Sequence, residues 1–586
     1  MGQRHNVFAG LTAALLLAGL GTAFSEERPA RPLELELWYW HRSDPTSEAG
    51  VAKSKALIDE AAKDGYTGVA FWDQSFAYLS DKSWPEANRK RLQTVIEYAA
   101  RTGLQVMAQG APFGWSNPAL LSNGNMAEGQ RVIGTPFRVA ANGKRLRVVN
   151  GLTPLGNGGF EEGRREWFDT GDNGIGTSAS AHSGKQAAVI VDAQGNARLR
   201  QKVTLTPWRQ YHLSFWVKAK DFRGPAIVEV LDWWHRSVNR FYAELETRGT
   251  ADWKRVDYAF DSQDTRWAYL YLGVWGGSQG VIWLDDVQLE ETGPVYVVRR
   301  EGAPVRLYNP NHPEPGFAEG RDYDRIEDPA FSGPRARLRD VFHAPVEITL
   351  PRGTRLLPGQ TVALDYYAAF PLPKDQQLSM CLTTPAVFDW LEKNARACRA
   401  VLPARSAVLL GYDELRQANS CGSCREKKMT AGELLAWNVQ RVVKLYQRTM
   451  PGAPLYIWSD MFDPSHNAHD HYYYVEGDLA GSWKGLPDGV TILNWNHPKL
   501  KQSLAWFAGN DGAQPKHHEQ IIAGYYDSGR GESASDDFRT ASGIPGIRGI
   551  MYVTWRDDYS QMKSFAAAAR RGWAEYLRSL GKQPAN

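Results

Sequence analysis

Eight runs of β-type apolar residues punctuate the chain, each ending in an aromatic or polar residue. Leu33 to Trp40 leads into His41-Arg42, Tyr66 to Trp72 into Asp73, and Leu104 to Gln109 into Gly110. Ser406 to Glu414 reads Ser-Ala-Val-Leu-Leu-Gly-Tyr-Asp-Glu, and four more runs follow: Pro454 to Asp460, Val490 to Asn496, Gln520 to Asp527 and Ile547 to Trp555. Between most of them lie stretches with helical periodicity: Glu48 to Ala62, Glu86 to Arg101, Pro385 to Ala400, Thr430 to Met450, Pro498 to Ala508 and Tyr559 to Leu580. Eight alternating units predict the α/β class, as a closed parallel (β/α)8 TIM barrel with its active site at the C-terminal strand ends.

The alternation breaks after the third run. The excursion that follows is far too long for a loop, and its centre shows period-two alternation separated by turns. Examples are Tyr211-His-Leu-Ser-Phe-Trp-Val-Lys-Ala, Trp267-Ala-Tyr-Leu-Tyr-Leu-Gly-Val-Trp and Val281-Ile-Trp-Leu-Asp-Asp-Val. Such a pattern predicts an inserted all-β jelly-roll sandwich. The expected organisation is a signal peptide at 1–25, barrel at 31–127, a β linker at 128–155, the sandwich at 156–292, a β-rich linker at 293–360 and the rest of the barrel at 361–582.

Composition narrows the function. The 68 basic residues against 65 acidic ones give a net charge of +3, with no basic block, which argues against a nucleic-acid partner. A polymer without dense charge is the more natural partner. Met1 to Ser25 has a basic start, an apolar core from Val7 to Leu20 and small residues at Ala23 and Ser25. This is a secretory pattern removed on export, so the expected location is secreted or periplasmic, with no membrane association afterwards. Four cysteines, Cys381, Cys398, Cys421 and Cys424, suit an oxidising compartment. Four thiolates could close a zinc site, but in an exported chain disulfides are the expected use, with three pairings open. No metal and no cofactor are expected.

The chemistry centres on Asp413-Glu414. An apolar strand that ends in adjacent carboxylates places them where the barrel meets water. A carboxylic acid beside a carboxylate is what glycosidic cleavage uses. The plainer alternative is a structural pair bonding a neighbouring arginine such as Arg416. Asp460, Asp463, Asp557 and Asp558 read as caps or hydroxyl ligands, and His466, His469 and His471 as a rim loop rather than a metal site. Because sugar rings stack on aromatic faces, Trp233, Trp234, Trp267 and Trp275 are candidate platforms in the sandwich, with Arg236 as a hydroxyl donor.

Two resemblances add to this. Asn157-Gly-Gly-Phe-Glu, Leu213-Ser-Phe-Trp-Val-Lys-Ala and Trp283-Leu-Asp-Asp-Val resemble the jelly-roll carbohydrate-binding modules of the CenC type. The barrel resembles family 20 glycoside hydrolases, the β-N-acetylhexosaminidases, in Asp413-Glu414, Tyr525-Tyr526-Asp527 and the late-strand Trp458, Trp495 and Trp555. The likeness implies cleavage of β-linked N-acetylhexosaminides assisted by the substrate's own acetamido group. It makes Glu414 the acid, with Asp413 accepting the acetamide N–H and Tyr525 holding its oxygen. Arg42, Trp72, Trp458, Asp460, Trp495, Asp527 and Trp555 are then substrate ligands. The pattern departs from the family at Gly411-Tyr412, where Gly-Gly is usual. Two alternatives stand beside it: an ordinary retaining glycosidase, with Glu414 as acid/base and Asp527 or Asp460 as nucleophile, and a non-catalytic polysaccharide-binding protein on a decayed barrel.

Overall fold

Every second residue of eight short strands turns toward a common axis. The strands are β1 (Glu36–His41), β2 (Gly68–Phe71), β3 (Gln105–Gln109), β4 (Ala407–Leu410), β5 (Leu455–Trp458), β6 (Val490–Asn494), β7 (Gln520–Tyr525) and β8 (Ile547–Val553). They pair in chain order, all parallel, and β8 closes onto β1. The computed structural model describes residues 34–583 apart from 73, 150–154, 172–173, 232–240, 246, 332–337, 339, 370, 373–375, 510–516 and 528. The expected signal peptide therefore lies outside the described residues. No described helix is long and apolar enough to cross a membrane.

The alternation sorts the core into two shells. Trp38, Trp40, Ala70, Met107, Leu409, Tyr456, Trp458, Leu493, Ile521, Ala523, Met551 and Val553 fill the barrel interior. Their sequence neighbours, such as Tyr39, Val69, Val106, Ile522 and Ile550, face the outer helices. Each fully buried side chain of this size contributes roughly 1.5–3 kcal/mol, and only a parallel sheet covered on both faces needs apolar residues at every position. The outer layer includes helices Glu48–Lys63, Glu86–Arg101, Pro385–Val401, Ala431–Thr449 and Met562–Ser579. The Ala431–Thr449 helix starts on a capping box in which Thr430 and Glu433 satisfy each other's backbone N–H groups.

The expected class, an α/β (β/α)8 TIM barrel with one inserted jelly roll, is corrected by the sheet inventory. Outside the barrel the described residues form three five-stranded antiparallel sheets and one two-stranded parallel pair, Gln417–Ala418 with Tyr474–Val475. Two enclose one hydrophobic core as a sandwich. The first runs Gly249–Asp261, Gln210–Arg223, Gln279–Glu291, Ala187–Val191, Ile175–Ser178, and the second Phe241–Glu244, Ala226–Leu231, Trp267–Val274, Ala197–Thr204, Phe168–Gly171. The third sheet runs His312–Phe317, Arg306–Asn309, Thr361–Ala368, Gln130–Val139, Leu146–Val148 and has a core of its own. It is built from segments read as linkers together with the opening of the expected second barrel part. Those segments pair across more than two hundred residues of sequence, as in Val362 opposite Phe137. Local alternation reports a strand but not a partner so distant, and for that reason the sheet was missed.

The third sheet joins the other two bodies. Tyr366 donates its hydroxyl to Gln210 of the sandwich at 2.7 Å. On the barrel side, Arg131 pairs with Glu476 at 2.9 Å, and the Cys381 N–H donates to Met126 O at 2.9 Å where the excursion leaves and re-enters the barrel.

Just past β4, Tyr412 is fully buried, stacks on Phe113 at 4.8 Å and donates to Asn438 Oδ1 at 2.5 Å. Removing that hydroxyl leaves a buried amide oxygen without its donor, so Tyr412→Phe should cost about 1–3 kcal/mol. Urea denaturation of the variant checks this, and an unchanged midpoint would mean the amide finds another donor.

Candidate active site

The strand run does not carry Asp413 and Glu414 to its tip. β4 stops at Leu410, and the two carboxylates sit in the turn beyond it. Glu414 adopts φ 49°, a left-handed conformation that costs a non-glycine residue roughly 1 kcal/mol or more and persists only when neighbours hold it. Two contacts do so: its N–H donates to Asp460 Oδ2 at 2.8 Å, and its carbonyl accepts from Gln377 Nε2 at 2.7 Å. Gly114, in the loop after β3, passes so close that a Cβ there would lie 1.7 Å from Asp413 O, so the loop needs glycine at this point.

Asp460 is the buried centre of the cluster. Besides the Glu414 N–H, its carboxylate accepts from Asn467 Nδ2 at 2.9 Å and from Trp495 Nε1 at 3.2 Å. Asp413 retains partial contact with the surface, yet its carboxyl is enclosed deeply enough that loss of hydration raises its pKa well above the usual carboxylate value. The neighbouring Asp460 and Glu414 charges push it further in the same direction. Glu414 is engaged differently, in a 2.8 Å ion pair with Arg416. The Arg416 guanidinium in turn lies 4.7 Å from the Tyr473 ring and 5.7 Å from that of Trp115. A proton-donating Glu414 would have to leave this pair. The two adjacent carboxylates thus stand in opposite electrostatic surroundings.

Tryptophan lines the mouth beside them. Trp40, at the end of β1, stacks on Trp72 at 5.3 Å and meets Trp458 and Trp555 edge-on at 5.3 and 5.9 Å. Trp72 and Trp555 meet at 5.4 Å. Trp458 is buried, whereas Trp555 is 47% exposed and forms the open wall. The indole N–H groups of Trp40 and Trp72 are buried with no hydrogen-bond partner among the described residues, which is costly unless a ligand supplies an acceptor. Arg42 lies over the Trp72 ring at 4.6 Å and pairs with Asp557 at 3.5 Å. Asp527 is buried and accepts from the N–H groups of Trp555 and Arg556 at 3.0 and 3.2 Å. Tyr525 stands at the surface, its phenol raised by partial burial and by its hydrogen bond to Asp527.

The structure therefore gathers Asp413, Glu414, Asp460 and Trp495 into one group, and Trp72, Trp458, Trp555 and Arg42 into an adjoining one. Tyr525 and Asp527 join the second through the Trp555 backbone. Trp40 and Trp115 are mouth residues that sequence reasoning did not single out, whereas Tyr473 belongs to the Tyr472 to Tyr474 stretch read with the histidines as a rim loop facing sugar. Trp40 was legible as the last inward position of β1, whereas Trp115 and Tyr473 come from loops with no periodic signal. Asp463 and Asp558 anchor turns through Ser465 and Ser560. The histidine cluster does not converge: His466 packs edge-on against Trp495 at 4.4 Å, and His469 and His471 both turn to Asp470.

On the sandwich, Trp233, Trp234 and Arg236 lie outside the described residues. Trp267, Tyr269 and Tyr271 alternate with buried Ala268, Leu270 and Leu272 on one strand, so they share the outward face. Basic side chains cover that row: Lys202 over Trp267 at 4.1 Å, Arg200 over Tyr269 at 4.8 Å and Arg198 over Trp275 at 5.2 Å. Burial lifts Glu229, on the adjoining strand, to about 6. Elsewhere on the sandwich a groove of about 710 Å³ is lined by Asp192, Asp221, Arg223 and Gln279 without an aromatic ring.

The expected disulfides are absent. Cys398 is buried elsewhere, beside Asn394 and the carbonyl of Phe76, which removes every pairing that would use all four cysteines. Cys381 stands 3.6 Å from both Cys421 and Cys424, beyond the roughly 2.05 Å of a disulfide.

The raised Asp413 carboxyl has a consequence for stability. Its folded-state pKa lies above the unfolded value of about 4, so its contribution is fully present below that value and is lost as pH rises through the folded-state pKa. Asp413→Asn removes the titration. The variant should therefore gain stability relative to the parent as pH rises above that unfolded value, read from urea midpoints. A stability difference that stays flat as pH rises would show the carboxyl to be unperturbed.

Compared with known proteins, the chain matches no family model and no curated protein. Among solved structures it is similar to one described as "CBM4 structure and function" (22% identity, 24% of this chain and 99% of that one, TM-score 0.20). It is also similar to TmCBM61 in complex with β-1,4-galactotriose (23% identity, 24% and 98%, TM-score 0.20). A third is the CBM22-1 xylan-binding domain of Paenibacillus barcinonensis Xyn10C (18% identity, 23% and 90%, TM-score 0.19).

Proposed function

We propose that the chain is an exported glycoside hydrolase that cleaves an uncharged oligo- or polysaccharide at the barrel mouth, with Asp413 as the proton donor. The observation that carries this reading is a carboxyl with a strongly raised pKa set beside a tryptophan-lined mouth. An acid that keeps its proton toward neutral pH can protonate a departing glycosidic oxygen, and indole faces take the C–H face of a sugar ring. Glu414, held by Arg416, is the companion carboxylate. Arg42 and Asp527 are suited to ring hydroxyls, and the unpartnered Trp40 and Trp72 N–H groups to sugar oxygens.

In the acetamido mechanism Glu414 would be the donor, while Asp413 as a carboxylate would accept the acetamide N–H. The raised Asp413 pKa and the Glu414–Arg416 pair both run against that division. These two observations support a two-carboxylate mechanism on a substrate with or without an acetamido group. The aromatic and basic row at Trp267, Tyr269, Arg198 and Arg200 supports a second reading, in which the sandwich holds polysaccharide for the barrel.

Chromogenic β-glycosides with and without a 2-acetamido group, assayed beside Asp413→Asn and Glu414→Gln, test the proposal. Turnover of 2-hydroxyl substrates, reduced about a hundredfold or more by Asp413→Asn as expected for losing a general acid, is the expected result. Turnover confined to acetamido substrates and abolished by Glu414→Gln would return the donor role to Glu414. Polysaccharide binding with no turnover, unchanged in both variants, would leave only a binding protein.

A further inference from the structure

The geometry points to a structural zinc site formed by Cys381, Cys421, Cys424 and Glu128, fastening the large excursion to the loop that carries Asp413 and Glu414. All four residues are buried, and their donor atoms lie within 4.8 Å of one another. Three of the six ligand–ligand separations match the edges of a coordination tetrahedron. Zinc–sulfur arms of about 2.3 Å give sulfur–sulfur edges of about 3.8 Å, and a sulfur–oxygen edge is about 3.5 Å. Cys381 Sγ lies 3.6 Å from each of the other two sulfurs, and Cys424 Sγ lies 3.5 Å from Glu128 Oε2.

The surroundings prepare the ligands. Glu128 Oε1 accepts from the Ser420 N–H at 2.9 Å, the Ser420 hydroxyl at 3.0 Å and the Cys421 N–H at 2.7 Å, which fixes the carboxylate and turns Oε2 toward the sulfurs. The Thr383 N–H points at Cys381 Sγ at 3.5 Å. Arg300, anchored on Asn125 O, Ala127 O and Ser423 Oγ at 2.9, 3.1 and 3.0 Å, stands beside the cluster. Three thiolates and a carboxylate around a divalent ion leave two negative charges, and the guanidinium offsets one. Three soft thiolates select zinc over calcium or magnesium. Four protein ligands in a buried site leave no open position for substrate, so the ion's role is structural.

The position explains what such an ion would hold. Glu128 lies where the chain leaves the barrel and Cys381 where it returns, joined by the Ala127–Met380 bridge. Cys421 and Cys424 follow Arg416 on the loop from β4. One ion would tie all three segments, and bound thiolates are protected from oxidation.

The test is metal analysis of the full chain purified without added metal, with thiol counting after denaturation. One zinc per chain with four free thiols is the expected result. The metal-stripped, reduced protein should then take up one equivalent of cobalt(II) with thiolate-to-cobalt charge-transfer absorption, weakened at least about tenfold in affinity by Glu128→Gln. Cys421→Ser should fail to retain zinc. A disulfide among Cys381, Cys421 and Cys424 with no metal would overturn the proposal. So would cobalt uptake without the charge-transfer band, a readout that needs no variant to fold.

Discussion

A carboxylate taken out of water must be surrounded by donors, and at the mouth of this barrel that requirement falls on Asp460. Its donors are the Glu414 N–H, Asn467 and Trp495, so one buried charge fixes the loop after β4, its own loop and the wall contributed after β6. The left-handed backbone at Glu414 persists because this acceptor is there to receive its N–H. Asp413 is then left enclosed between two carboxyl-bearing neighbours, which pushes its own proton affinity upward. The chemistry proposed for the site is thus a by-product of how the loop is anchored.

The barrel and the antiparallel sheets are linked through the same loop. The excursion exits beside Glu128 and returns at Cys381, and both meet the segment from Ser420 to Cys424. Around the rest of the rim the tryptophans come from the ends of β1, β2, β5 and β8, and β5 is the direct neighbour of β4.

Much of the barrel was legible because period-two burial on strands covered on both faces leaves continuous apolar runs, and those runs end where the chain reaches the mouth. The sandwich was legible for the same local reason. The third sheet was not: Thr361–Ala368 pairs with Gln130–Val139 across more than two hundred residues, and no local pattern encodes such a partner. At the site, sequence drew attention to Asp413-Glu414, and the family resemblance made Glu414 the acid and Asp413 the acetamide acceptor, the reverse of the division proposed from the structure. That division rests on Arg416, only two residues away yet brought back by a positive-φ turn, and on Asp460 from another strand. Cysteine spacing likewise gave four thiols but not that Cys398 faces a different core from the other three.

The most direct test of the central claim, that the mouth beside Asp413 is where sugar is cleaved, is a crystal structure of full-length Asp413→Asn soaked with an oligosaccharide substrate. The account predicts a sugar ring seated against Trp72 and Trp555, with a glycosidic oxygen within hydrogen-bond distance of residue 413. An oligosaccharide bound only on the sandwich, with the barrel mouth filled by its own side chains, would contradict it.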